Sequence, residues 1–115
     1  EKARVYEAMG CKPSPAPRGM LAGVMDVQNE DYRYFRLMDG PGSLEHRYIT
    51  EDVPYLTCFF VSVAHAAGVK VPLFEGVVGL LSAAAGRDFT AEGRTLENLG
   101  WGGLSREELI RRFKA

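Results

Sequence analysis

Apolar residues recur at intervals of mostly three and four residues along two long stretches in the second half of the chain. In the stretch 53–67 they are Val53, Leu56, Phe60, Val63 and Ala67. In the stretch 72–85 they are Leu73, Val77, Leu80, Leu81 and Ala84. This spacing predicts two amphipathic helices. Because only the short segment 68–71 links them, we expect the two helices to be antiparallel neighbours.

Both long helices carry start and stop signals. Thr50 is the expected N-cap of the first, and Pro54 is tolerated only in a first turn, so this helix should begin near residue 52. A proline opens the second helix. Glycines follow the two stretches, Gly68 after the first and Gly86 after the second. Glycine is the usual residue just beyond a helix C-terminus.

Shorter helices are predicted on either side of this pair. Residues 2–9 favour a helix that Gly10 would end. The sequence Ser105-Arg106-Glu107-Glu108 is a capping box that would open a last helix. A short helix is also expected from Pro17, and a further helical turn within 29–37.

The rest of the chain favours irregular structure. Residues 87–103 are rich in glycine, with one short turn expected near 96–99. The nearest candidate for a strand is the very short segment 47–49, and no alternating pattern supports it. The predicted fold is therefore all-α, a compact bundle of five or six helices forming a single domain over residues 1–115.

Composition sets limits on function. The 115 residues are 46 % hydrophobic and 25 % charged, with a formal net charge of -1. These values suit one ordinary globular domain with its own core. They give no basic field for nucleic acid, and no apolar run is long enough to cross a membrane, so we expect neither partner. The first residues resemble the middle of a helix rather than a targeting signal, which suggests a fragment or a processed chain.

The two cysteines, Cys11 and Cys58, are expected to be free thiols in a reducing cytoplasm, with Cys58 as a small core residue. A disulfide between them remains an alternative that spacing does not decide. A zinc site is not expected, because the chain has no C-x-x-C pair or other ligand cluster.

The candidate chemistry lies at the start of the first long helix. Arg47 and Asp52 stand five residues apart. A guanidinium can hold a carboxylate through two hydrogen bonds, and an aspartate can orient a catalytic histidine. The structural alternative is that Arg47 pairs with Glu51 or Asp52 and only fixes the loop. His46 is expected to be a surface or packing residue, and His65 to be solvated or half-buried.

Several segments together resemble the helical domain of the octopine/nopaline (opine) dehydrogenase family. The segment 43–55, which contains Arg47-Tyr48-Ile49-Thr50-Glu51-Asp52, resembles the signature loop of the family. Residues 66–73 resemble its A-G-V-x-x-P hairpin, and residues 86–89 and 93–100 resemble its later loop. The matching order extends over most of the chain. The resemblance implies a helical bundle like the C-terminal domain of opine and 6-phosphogluconate-type dehydrogenases.

The resemblance also implies a reaction. Enzymes of this family condense an amino acid with a 2-oxo acid and reduce the imine with NAD(P)H, which a separate Rossmann domain binds. By resemblance, Arg47 holds a substrate carboxylate and Asp52 partners a catalytic histidine that lies upstream in the family. A Rossmann domain in cis or in trans and a second copy of the chain, as a homodimer, are further implied partners. The usual glycine after the motif tyrosine is replaced here by Leu56.

We therefore predict the substrate-binding helical domain of an opine dehydrogenase-like oxidoreductase, located in the cytoplasm and inactive without its nucleotide domain. No G-x-G-x-x-G or P-loop occurs, so no cofactor is expected to bind to this domain alone. The alternative is a stand-alone helical binding or oligomerisation module without catalysis.

Overall fold

The computed structural model describes residues 1–12, 30, 37 and 39–114, and these residues form helices and turns. No strand occurs within those ranges. The all-α prediction is confirmed, and the strand candidate 47–49 is helical instead. The short helix expected from Pro17 and nearly all of the turn expected at 29–37 lie outside the described residues.

Between residues 47 and 92 the helical segments follow one another with links of at most five residues. In chain order they are α1 (Lys2–Ala8), α2 (Arg47–Thr50), a π-helical turn (Val53–Thr57), α3 (Cys58–Ala66), α4 (Pro72–Ala85), α5 (Phe89–Glu92) and α6 (Arg106–Lys114). The first long predicted helix thus corresponds to the π-helical turn together with α3. Its start near residue 52 and its end before Gly68 agree with the prediction.

The link between α3 and α4 is a tight hairpin. Gly68 has a φ of 71°, a left-handed conformation that favours glycine, and the next amide, that of Val69, donates a hydrogen bond of 2.8 Å to the carbonyl of Ala64. The ring of Phe60 lies 4.5 Å from that of Phe74. The helices α3 and α4 are therefore neighbours, as we predicted from the short segment between them.

Two of the predicted details are wrong. Thr50 does not cap the long helix; it ends α2, and its hydroxyl donates to the carbonyl of His46 at 3.4 Å. The contact face of α4 is also not the predicted stripe. Val78 is buried and Leu81 packs beside it, whereas the exposed strip of α4 consists of Leu73, Gly76, Val77, Leu80 and Ala84.

Two apolar clusters hold the helices together. The first lies where α1, α3 and α6 meet, with Val5, Ala64 and Leu109 almost fully buried. The second lies between the π-helical turn, α4 and α5, around Val53 and Phe89. Burial of a large apolar side chain contributes about 1.5–3 kcal/mol. The second cluster fixes the position of the helical segment that carries the candidate motif, since Ile49 and Val53 belong to it.

A close backbone approach joins the irregular segment after α5 to the π-helical turn. The amide of Arg94 donates a hydrogen bond of 2.8 Å to the carbonyl of Pro54. A Cβ atom added at Gly93 would lie 2.5 Å from that carbonyl oxygen. It would also clash with the carbonyl oxygen of Phe89. Only glycine lets the two segments lie this close. The helix α5 inside the segment was not predicted.

The capping box at the start of α6 is confirmed. The amide of Ser105 donates to the carboxylate of Glu108 at 2.8 Å, and the amide of Glu108 donates back to the Ser105 hydroxyl at 3.3 Å. The reciprocal bonds satisfy backbone groups that a helix N-terminus leaves unpaired. Leu109, one residue later, is fully buried against the first cluster.

Candidate functional site

The predicted motif begins on a short helix capped by a histidine. The Nδ1 atom of His46 accepts a hydrogen bond of 3.3 Å from the amide of Tyr48, which fixes the start of α2. The two rings lie 4.6 Å apart. This contact agrees with the expectation that His46 is a surface or packing residue, and Arg47, at the first position of α2, is exposed.

Arg47 pairs with the acid one helical turn away. Its Nε atom lies 3.6 Å from the Glu51 carboxylate, and the two side chains are 66 % and 58 % exposed. The guanidinium also lies 6.0 Å from the centre of the Tyr48 ring. The structural alternative was that Arg47 pairs with Glu51 or with Asp52, and the pairing with Glu51 is the one observed. An exposed pair of this kind is worth little, so it leaves the guanidinium accessible to another carboxylate.

Asp52 lies at the junction between the short helix and the π-helical turn. It is half-buried, and within the described part of the chain its carboxylate makes no hydrogen bond or ion pair. Its carbonyl accepts a hydrogen bond of 3.3 Å from the Thr57 hydroxyl, five residues on. Single π-helical turns are rare and occur often at functional sites. The turn was not predicted, although Pro54, which lacks an amide hydrogen, is a local signal for disturbed helical bonding.

Two further arginines lie close to aromatic rings, Arg94 by the exposed ring of Tyr55 and Arg87 by the ring of Phe89. The guanidinium of Arg94 is 5.8 Å from the ring centre, a distance at which a cation and an aromatic face attract. Arg87 is bound to Glu92 at 2.5 Å, and this hydrogen bond raises the pKa of Arg87, with Glu45 and Tyr55 acting in the same direction. Neither arginine was predicted as a site residue, although both lie in segments 86–89 and 93–100 that resemble the family.

The second histidine lies away from this motif. His65 is exposed on α3, and its Nε2 atom lies 2.5 Å from the Glu75 carboxylate on α4. The pair joins the two helices of the hairpin near their link. The exposure agrees with the expectation for His65, and its position gives it no contact with Arg47 or Asp52.

The cysteines have opposite environments. Cys11 is exposed and Cys58 is buried, and both are free thiols. The Sγ atom of Cys58 lies 3.3 Å from the carbonyl oxygen of Phe89, to which the thiol donates. Burial raises the pKa of the Cys58 thiol above its ordinary value. Cys58 is therefore a core residue, as predicted.

An apolar cavity of about 570 Å³ lies between α1, the π-helical turn with α3, and α6. Buried side chains, among them Val5 and Val63, line its depth. Leu56 and Phe113, which are 60 % and 46 % exposed, lie where it meets the surface. Sequence periodicity does not predict a cavity, because it shows which residues share a face and not how closely two faces pack.

The described residues contain neither a strand nor a converging set of metal ligands. In Rossmann domains a dinucleotide binds where a strand turns into a helix, and residues 1–12, 30, 37 and 39–114 contain no strand. No set of three metal-ligating side chains converges within these same ranges. No helix in this part of the chain is long and apolar enough to span a bilayer.

Comparison with known proteins decides the family. Residues 3–85 match the model of the family described as NAD/NADP octopine/nopaline dehydrogenase, alpha-helical domain. The chain belongs to this family. The match includes α1 through α4 and the whole motif from Arg47 to Asp52. The family model therefore supports the resemblance to opine dehydrogenases as far as residue 85.

Relatives of the opine dehydrogenase domain agree with the assignment. The chain is 33 % identical over 82 residues to Protein ocs of Agrobacterium vitis, which is 71 % of this chain and 23 % of that protein. It is 31 % identical over 81 residues to vitopine synthase of Allorhizobium ampelinum, 70 % of this chain and 22 % of that protein. It is 39 % identical over 71 residues to opine dehydrogenase of an Arthrobacter species, 62 % of this chain and 20 % of that protein. The chain thus spans less than a quarter of the length of these relatives.

Proposed function

We propose that this domain supplies the substrate-binding part of an NAD(P)-dependent opine dehydrogenase. An amino acid would condense with a 2-oxo acid, with loss of water, to form an imine. Hydride from NAD(P)H, held by a nucleotide-binding domain in cis or in trans, would then reduce the carbon–nitrogen double bond. Arg47 would hold a substrate carboxylate, and Asp52 would orient the histidine that moves the proton.

The observation that carries the proposal is the state of Arg47. Its guanidinium is two-thirds exposed, and its partner among the described residues is Glu51, itself exposed. A substrate carboxylate can replace such a partner at small cost, because exposed ion pairs contribute about 0–1 kcal/mol. Arginine holds carboxylates through two parallel hydrogen bonds, which fixes orientation as well as position.

The state of Asp52 supports its proposed role. The carboxylate is half-buried, and no described residue hydrogen-bonds to it. A carboxylate in this state is available to an imidazole N–H from outside the described residues. Neither His46 nor His65 supplies that imidazole, since His46 caps α2 and His65 is bound to Glu75.

The test is a reconstitution. The domain is joined to its own nucleotide-binding domain or to that of the Arthrobacter relative, and oxidation of NADH or NADPH is followed with pyruvate and a panel of amino acids. We expect turnover that depends on both substrates and falls at least tenfold in Arg47→Ala. Arg106→Ala, which removes another exposed arginine paired with a neighbouring acid, is the matched control. Full activity in Arg47→Ala would overturn the assignment of Arg47.

We also propose that the exposed strip of α4 is the contact between two copies of the chain. Leu73, Val77 and Leu80 are 74 %, 46 % and 70 % exposed, and the strip carries no charge. A soluble helix normally has polar residues on such a face. In a two-fold contact the same surface of each copy faces its counterpart on the other copy. An uncharged strip can therefore pack against itself, whereas a strip with a net charge would repel itself. This contact would serve either the enzyme or a non-catalytic oligomerisation module.

A further inference from the structure

The proposed reaction brings two carboxylates to the site. The amino acid and the 2-oxo acid each carry one, and the imine that joins them carries both. Arg47 accounts for one of these carboxylates. The other needs a charged partner of its own when it leaves water, because burial of an unpaired charge is costly. A second guanidinium beside the motif helix, that of Arg94, suits this need.

The guanidinium of Arg94 is available to an anion. Arg94 is exposed, and within residues 1–12, 30, 37 and 39–114 no carboxylate lies within ion-pairing distance of it. Its neighbour is the ring of Tyr55, whose centre lies 5.8 Å from the guanidinium. An aromatic face attracts the cation without using the N–H donors of the guanidinium. Arg87, by contrast, is bound to Glu92.

The backbone of Arg94 is fixed beside the motif. Its amide donates a hydrogen bond of 2.8 Å to the carbonyl of Pro54, which follows Asp52 by two residues. The carbonyl of the preceding residue, Gly93, accepts a hydrogen bond of 2.7 Å from the side-chain amide of Asn98. The side chain of Arg94 therefore extends from an anchored position, which lowers the entropy that is lost when it binds an anion.

The two guanidinium groups lie at the ends of one exposed row. Arg47, Glu51 and Tyr55 follow at four-residue intervals, and the amides of the last two donate hydrogen bonds of 2.8 and 3.0 Å to the carbonyls four residues before them. This α-helical bonding places the three side chains on about the same side and separates the first from the last by about 12 Å along the axis. Arg47 lies at one end, and Arg94 lies by the Tyr55 ring at the other. Asp52 falls between the two ends along the axis, so an imine held by both cations lies along the segment that carries Asp52.

We propose that Arg94 is a second substrate-binding residue, which holds one carboxylate of the imine while Arg47 holds the other. This inference rests on the proposed function, since it adds a residue to the same site. It also defines the ligand class, a small molecule with a carboxylate on either side of a nitrogen atom.

Kinetics on the reconstituted enzyme test the assignment. Arg94→Met keeps an unbranched side chain beside Tyr55 and removes the charge. It should raise the KM of one carboxylate substrate at least tenfold, and Arg47→Ala should raise the KM of the other. The matched control is Arg112→Met, because the guanidinium of Arg112 also lies by an aromatic ring, 5.2 Å from the ring centre of Trp101. This control should leave both KM values unchanged.

A substrate that lacks the affected carboxylate separates binding from a general effect on the fold. Ethylamine replaces L-alanine if the KM of the amino acid rises, and acetaldehyde replaces pyruvate if the KM of the oxo acid rises. With that substrate, kcat/KM should differ less than twofold between the parent enzyme and Arg94→Met, because the group that Arg94 binds is absent. A tenfold loss that persists would show that Arg94 acts through packing alone.

A binding measurement separates this inference from the proposed reaction. Iminodiacetate carries a carboxylate on either side of a nitrogen, whereas sarcosine carries only one. In the joined protein with isotope-labelled arginine, the Nε–H resonance that Arg94→Met removes should shift at a concentration of iminodiacetate at least tenfold lower than that of sarcosine. If the protein turns over no amino acid but this resonance shifts, the proposed reaction fails and the assignment of Arg94 stands. No shift with iminodiacetate, or a rise in the same KM for Arg94→Met and Arg47→Ala, would overturn the inference.

Discussion

The guanidinium of Arg47 lies 3.6 Å from the carboxylate of Glu51, and not beside Asp52. Helical geometry explains the choice. In an α-helix, a residue four positions on is rotated by about 40°, whereas one five positions on is rotated by about 140°. The chain is helical on both sides of this junction, so Glu51 shares the side of Arg47 and Asp52 does not. The side chains of Arg47 and Asp52 thus lie on different sides of this helical segment.

The close approach at Gly93 gives a direct test of how the irregular segment is held on the motif helix. Gly93→Ala should destabilise the domain by about 1–3 kcal/mol. The added methyl group would clash with two backbone carbonyls, which cannot move aside as a flexible side chain can. Gly79→Ala on α4 is the matched control. Its new Cβ meets nothing within 4 Å, so it should stabilise the helix by about 0.5–1 kcal/mol.

Urea unfolding measures both effects. Equal free energies of unfolding for Gly93→Ala and the parent chain would show that the loop does not pack on the π-helical turn as described.

The capping box of α6 predicts a pH dependence. Hydrogen bonds from the Ser105 hydroxyl and amide hold the pKa of Glu108 below its ordinary value of 4.5. This pKa is lower in the folded state than in the unfolded state. The ionised carboxylate therefore stabilises the fold at a pH above its unfolded-state pKa, and this contribution is lost as the pH falls through its folded-state pKa. The difference in free energy of unfolding between the parent chain and Glu108→Gln should therefore shrink below pH 4.5.

The control for this measurement is Glu107→Gln, whose carboxylate is 74 % exposed and 3.9 Å from Arg106. This variant removes a carboxylate from the same helical turn and leaves the capping bonds between Ser105 and Glu108 in place. A constant difference for Glu108→Gln across that range would contradict the capping-box account.

The two thiols should differ in reactivity. Cys11 is exposed, whereas burial raises the pKa of Cys58, so Cys58 has little of the reactive thiolate and little access to reagent. Titration with Ellman's reagent at neutral pH should modify one thiol in the native chain and two in denaturant. The variant Cys11→Ser should show no fast-reacting thiol. A native chain with no reactive thiol would instead support the disulfide that spacing left open.

Much of the fold follows from local signals in the sequence. The positions of Gly68 and Gly86 fix the ends of two helices, and the capping box fixes the start of α6, because backbone geometry and terminal hydrogen bonds are decided within a few residues. The contact face of α4 does not follow from them. Both of its faces are apolar, so periodicity identifies the helix and not the side that packs on Val53 and Phe89.

The sequence likewise predicts only part of the candidate site. Spacing and family resemblance indicate Arg47 and Asp52, because a linear motif records both. The Gly93 approach and the position of Arg94 over Tyr55 depend on contacts between residues about forty positions apart. Such contacts are decided by tertiary packing, which no local pattern in one sequence records.

The exposed strip of α4 predicts the assembly state. Leu80→Glu should convert a dimer to a monomer in sedimentation velocity, because a two-fold contact would bring two buried carboxylates together. Leu99→Glu, which adds the same charge at an exposed leucine outside α4, should leave the assembly unchanged. A parent chain that is monomeric at all concentrations would refute the dimer contact.

The central claim is that Arg47 binds a substrate carboxylate while Asp52 serves proton transfer, and steady-state kinetics of two variants test it most directly. In the reconstituted enzyme, Arg47→Ala should raise the KM of one carboxylate substrate about tenfold or more, as expected for loss of a charged hydrogen bond worth about 1.5–3 kcal/mol. Asp52→Asn should instead lower kcat with a smaller change in KM. Unchanged KM values in Arg47→Ala, together with an unchanged kcat in Asp52→Asn, would contradict the account.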